Sequence, residues 1–115
     1  MGAYYDENGD LHGFLLIRGA YTSLEVPGSD RFTYAQGIND GGLIVGLYGT
    51  ADGATHGFVL SDGGYTTVDV PNSFWTEIYS VNANGDIVGA FGDASGIHAF
   101  RGTPAGRLVP DAPAE

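Results

Sequence analysis

Apolar residues fall in short runs of four to seven along this chain, rich in Val, Ile, Tyr and Phe, and each run is bounded by Gly, Asn or Asp. Such runs predict strands joined by hairpins. No stretch carries a sustained helical period. The pattern places strands at 3–6, 11–17, 21–26, 34–39, 43–48, 55–60, 65–70, 78–82, 86–91 and 97–101. Asn8-Gly9, Asp40-Gly41, Asp52-Gly53, Asp62-Gly63 and Asn84-Gly85 supply residues that tolerate positive φ in the turns between them.

The runs repeat. Gly2-Ala3-Tyr4 through His12-Gly13-Phe14 matches Gly46-Leu47-Tyr48 through His56-Gly57-Phe58, and both match Gly89-Ala90-Phe91 through His98-Ala99-Phe100. Tyr21 to Pro27 matches Tyr65 to Pro71, and Gly37-Ile38-Asn39 with Leu43-Ile44-Val45-Gly46 matches Ser80-Val81-Asn82 with Asp86-Ile87-Val88-Gly89. The period is about 43 residues and holds four predicted strands, which is the arithmetic of a β-propeller blade. The expected fold is therefore all-β, with propeller-like four-stranded antiparallel blades in one domain over 1–103, its repeats at about 1–42, 43–85 and 86–103. In the last copy Pro104, Pro110 and Pro113 interrupt what would be the third strand, so 104–115 reads as a Pro-rich C-terminal tail. Two and a half to three blades leave open faces, which predicts a partial ring completed by oligomerisation, most simply a two-fold dimer. The chain opens inside a repeat, as expected of a fragment, an engineered excised piece or a naturally short gene product.

Charge narrows the partners. The four basic residues are all arginines, and fourteen carboxylates bring the formal net charge to −10. That field repels phosphate backbones and anionic lipid, so neither nucleic acid nor a membrane is an expected partner. Carbohydrate, peptide and small-molecule ligands remain electrostatically open. Cysteine is absent, which removes disulfides, thiolate metal sites and a Cys nucleophile. The first residues lack the basic and apolar regions of a signal peptide, and no apolar run is long enough to span a bilayer.

His12, His56 and His98 are the sharpest chemical candidates, because three imidazoles can hold a divalent metal such as zinc with an open position that activates water. The ordinary reading of a residue recurring once per repeat is structural. Adjacent copies converge only near a ring axis, so such a site would need histidines from different chains or nearby carboxylates such as Asp52, Asp93 or Glu77. Asp6-Glu7-Asn8-Gly9-Asp10 and Asn82-Ala83-Asn84-Gly85-Asp86 look like the start of calcium loops but lack the required glycine and distal glutamate, and read as hairpin turns. No nucleophile elbow and no phosphate-binding loop occurs, and no catalytic residue is singled out. Phe32 and Trp75 read as lying in polar loops, and with Asn72 they form the expected ligand-binding set.

The segments Ile38-Asn39-Asp40-Gly41-Gly42-Leu43-Ile44-Val45-Gly46 and Val81-Asn82-Ala83-Asn84-Gly85-Asp86-Ile87-Val88-Gly89, together with His-Gly-Phe at 12–14 and 56–58 and His-Ala-Phe at 98–100, resemble the HAF repeat family. The resemblance implies an extracellular bacterial protein with a propeller-like fold and carries no established activity. The expected function is a non-catalytic binding or assembly module. The alternative is a small metal-dependent hydrolase of esters or phosphoesters using the repeat histidines.

Overall fold

The computed structural model describes residues 2–5, 7–8, 11–17, 19–29, 31–103 and 108–110. No helix occurs among them. The strands are β1 (Gly2–Tyr5), β2 (Leu11–Ile17), β3 (Ala20–Leu24), β4 (Phe32–Ile38), β5 (Ile44–Gly49), β6 (Thr55–Ser61), β7 (Gly64–Val68), β8 (Trp75–Val81), β9 (Ile87–Asp93), β10 (Gly96–Gly102) and β11 (Leu108–Pro110). All belong to one sheet that curls into a half-barrel.

Antiparallel pairing divides that sheet into units. β4, β5, β6 and β7 pair in succession, as do β8, β9, β10 and β11, while β1, β2 and β3 form the unit before them. Neighbouring units meet through single parallel bridges, Leu11 to Phe32 and Thr55 to Trp75. The units run out of phase with the sequence period, because β8 leaves β7 through the Pro71-Asn72 turn and opens the next unit instead.

Each strand expected from the apolar pattern is present, and β4 and β8 begin earlier than expected, at Phe32 and Trp75. One strand is additional. Within the expected tail, Leu108–Pro110 pairs with Gly102–Phe100 of β10, an outer position where the N–H that Pro110 lacks is least missed. The rest of that tail, 104–107 and 111–115, lies outside the described residues, as do Asp6, Gly9 and Asp10 of the acidic turn. The β6–β7 hairpin turns on Asp62 and Gly63, at φ 50° and 81°, the pair of positive values that the twist of a two-residue hairpin requires.

Two hydrophobic clusters repeat one another across the units. Leu24, Val26, Ala35, Ile44, Tyr48 and Phe58 form the first. The second holds Val70, Ile78, Ile87, Phe91 and Phe100, the counterparts of all of these but Leu24, together with Val45; Val45 and Val70 both precede β8. Each cluster thus draws on two units, and a unit is not a self-sufficient core.

The Val-Gly pair that closes each repeat motif has a steric cause. β4 bulges between Ala35 and Gly37 and β8 between Ile78 and Ser80, and beside each bulge a strand carbonyl lies close to the facing glycine. A Cβ on Gly46 would overlap the carbonyl oxygen of Tyr34, and one on Gly89 would overlap that of Glu77. Because the obstacle is backbone, no rotamer change relieves it. Gly89→Ala is therefore expected to destabilise the fold by at least about 2 kcal/mol, read as a lower urea midpoint. A midpoint equal to that of the parent would contradict the close approach.

Candidate functional site

The three histidines occupy the same place in successive units. His12, His56 and His98 lie on β2, β6 and β10, directly across from Tyr4 on β1, Tyr48 on β5 and Phe91 on β9. The His56 ring packs on Tyr48 with centroids 5.2 Å apart, and His98 packs on Phe91 at 5.1 Å. Each imidazole also meets a carboxylate. His12 Nδ1 pairs with Glu25, His56 Nδ1 with both oxygens of Asp69 at 2.8 and 2.9 Å, and His98 Nε2 with Asp93 at 3.0 Å.

The sequence carries an unused signal for the first two of these pairs. A carboxylate follows each histidine at thirteen residues, as Glu25, Asp69 and Asp111. Asp111 lies outside the described residues.

On its other side His56 Nε2 faces the Thr50 hydroxyl at 3.3 Å, so carboxylate, imidazole and hydroxyl stand in a row. This row does not make a nucleophile. Thr50 commits its proton to Asp52, whereas base activation requires the hydroxyl to donate to the imidazole. The Asp52 carboxyl is held below its ordinary range chiefly by that hydroxyl and then by the Ala54 N–H. Asp93 is lowered in the same way, first by the Ser95 hydroxyl, then by the Ser95 N–H and to a smaller extent by His98. His56 and His98 thus join neighbouring strands, and in the second unit the ring also links hairpin to loop.

The imidazoles are not brought together. Among the described residues no group of three or more His, Asp and Glu side chains is placed to hold a metal ion. Asp52 and Asp93 sit at their own hairpins, where they close turns through Ala54 N–H and Ser95 N–H at 3.0 and 2.9 Å.

The expected ligand-binding set falls elsewhere. Phe32 and Trp75 are the first residues of β4 and β8 rather than loop residues, half-buried opposite Gly49 and Gly92. Each ring occupies the space a Cβ would take on the facing glycine, so the glycines exist to receive the rings. Arg31 stacks over Phe32 at 5.2 Å and donates to the carbonyls of Thr50 and Ala54 at 2.7 and 3.0 Å. Asn72 has φ 66° and its counterpart Gly28 has φ 89°. Both follow a proline in turns closed by Ser73 N–H to Val70 O and Ser29 N–H to Val26 O, at 3.1 and 2.9 Å, where the third residue must adopt positive φ. Thr33 and Thr76, fully buried, accept the N–H of Val26 and Val70 at 3.3 and 3.1 Å.

One open groove of about 750 Å³ lies at the far end of β4 and β8, among the Asn39–Leu43 turn, Ala83–Gly85 and the Thr66–Asp69 stretch. None of the histidines, Phe32, Asn72 or Trp75 lines it. At its edge Asn39 closes its own turn by accepting Leu43 N–H at 2.9 Å, while its amide donates to the carbonyl of Asn82, its counterpart in the next unit, at 3.0 Å.

No family model, curated protein or solved structure matches this chain.

Two outcomes follow from this geometry. Thr76→Val keeps the shape but strands the buried Val70 N–H, and is expected to lower stability by about 1–2 kcal/mol in chemical denaturation. Ser95→Ala removes the largest cause of the depressed Asp93 pKa, so that pKa rises in a carboxyl-carbon NMR titration. A carboxyl lowered on folding stabilises above its unfolded pKa, and that contribution disappears as pH falls through the folded value. The variant therefore has a smaller acid-sensitive component of stability.

Proposed function

We propose that this chain is a non-catalytic binding or assembly module of propeller-like repeats, its antiparallel units acting as blades. The observation that carries this reading is the placement of the histidines, one per unit, two of them stacked on the aromatic residue of the strand before and all three paired to a carboxylate. Groups committed in this way hold strands in register. The motif resemblance to the HAF repeat family belongs to the same proposal, and the extracellular setting comes with it.

The groove suits a neutral ligand such as a sugar or peptide, since Val59, Val68 and Ile87 give it an apolar wall beside the polar Thr66 and Asn84, and Asp62 and Asp69 disfavour an anion. A metal-dependent hydrolase, the competing reading, would have to assemble its imidazoles from more than one chain.

Metal removal separates the two. After dialysis against a chelator, the module is expected to keep its melting temperature and far-UV circular dichroism. Added zinc should leave the hydrolysis of ester and phosphoester substrates at the buffer rate. Turnover above that rate, abolished by chelation and lost in His56→Ala, would replace this reading with the hydrolase.

A further inference from the structure

The same residue position has opposite surroundings in successive units. Val45 on β5 is 0% exposed, clustered with Val70 and with Ile78, Ile87, Phe91 and Phe100 of the following unit. Val88 holds the equivalent place on β9, one residue before the repeat glycine, and is 48% exposed. Antiparallel register puts Val88 opposite Arg101, Ala90 opposite Ala99 and Gly92 opposite Ile97, so these side chains share one face. Ile97 and Tyr79 on that side of the unit are also exposed, at 76% and 44%. In the preceding unit the counterparts of Val88, Ala90 and Ala99, namely Val45, Leu47 and Gly57, are buried.

The opposite end of the array has the matching deficit. Phe14 on β2 corresponds to Phe58 and Phe100, which are fully buried at 0% and 2%. Phe14 is only half-buried, with Tyr21 of β3 edge-on to it at 5.6 Å. Tyr21 is 72% exposed and Leu16 beside it 43%, whereas their counterparts Tyr65 and Leu60 pack against the first hydrophobic cluster.

Resting on the assembly reading, we propose that the face of β8, β9 and β10 around Tyr79, Val88 and Ile97 receives a second copy of this chain through that copy's Phe14, Leu16 and Tyr21. The contact repeats between chains the stacking that Val45 makes within one. It joins two different surfaces, and when two copies are related by a two-fold axis it occurs twice and closes the pair. Glu77 and Arg101 place one charge of each sign on the receiving face, so the chain's overall acidity is not focused there.

The test is the oligomeric state of the full chain, measured by native mass spectrometry and sedimentation over micromolar concentrations. Val88→Asp and Tyr21→Arg alter side chains that are exposed within one chain, so each variant should keep the parent's circular dichroism and melting profile when fully dissociated. The parent is expected to pair, and each variant alone to dissociate with a dissociation constant raised at least about a hundredfold. An equimolar mixture of the two variants should pair again, because a mixed pair retains one unaltered contact. Pairing that survives in either variant, or a mixture that stays monomeric, overturns the proposed interface. Loss of pairing in Val88→Asp with retention in Tyr21→Arg would mean a symmetric face-to-face contact or a different partner surface, and also overturns it. A parent chain that never pairs removes the self-assembly reading as well, whereas a failure of the non-catalytic reading would show itself separately as chelator-sensitive turnover.

Discussion

The structure depends on one strand being covered from both sides. In β5 alternate side chains face opposite ways, and every residue from Ile44 to Gly49 is buried. Ile44 and Tyr48 pack into the cluster of their own unit, while Val45 enters the cluster of the next. A sheet that buries only one face alternates apolar with polar residues. Here Ile44, Val45, Leu47 and Tyr48 have no such alternation, and the continuous apolar run records two neighbours rather than one. Stability in an arrangement of this kind is a sum of units and of contacts between adjacent units, so a change at Val45 acts on both.

Close approach is the second theme, and it explains why residues with chemical potential have structural employment. Glycine on one strand and a large ring on the next form a complementary pair at Phe32 with Gly49 and at Trp75 with Gly92. The ring gains partial burial, and the glycine, otherwise a weak strand residue, gains a cover. The histidines work similarly across β5–β6 and β9–β10. Polar residues satisfy turns, carbonyls and buried N–H groups, and among the described residues no buried side-chain polar atom lacks a partner.

Much of this was legible from the residues, because strand periodicity and turn chemistry are local. The ten strands follow from short apolar runs, and the Asp62-Gly63 hairpin from residues that accept positive φ. Pairing is not local. Whether β8 joins β7 or β9 depends on the direction in which the Pro71-Asn72 turn releases the chain, and both alternatives give the same hydrophobic pattern. The strand character of Phe32 and Trp75 was hidden because its cause, a glycine on the facing strand, lies some seventeen residues away. Among the site residues, Asn72 could have been recognised as a turn residue from its match with Gly28. The carboxylates paired to His12 and His56 were visible only as a spacing. No pattern in the chain distinguishes Val45 from Val88, since what differs is the neighbour that covers them.

The amide of Asn39 closes its own turn and reaches the equivalent asparagine one unit away. A contact between a residue and its own copy spans one sequence period, so the same contact is available again when an entire period is gained. Gene duplication in whole repeats is thereby a permitted route of change for this architecture. Variation in array length among descendants of such a chain would be quantised, with the spacing from Asn39 to Asn82 setting the step.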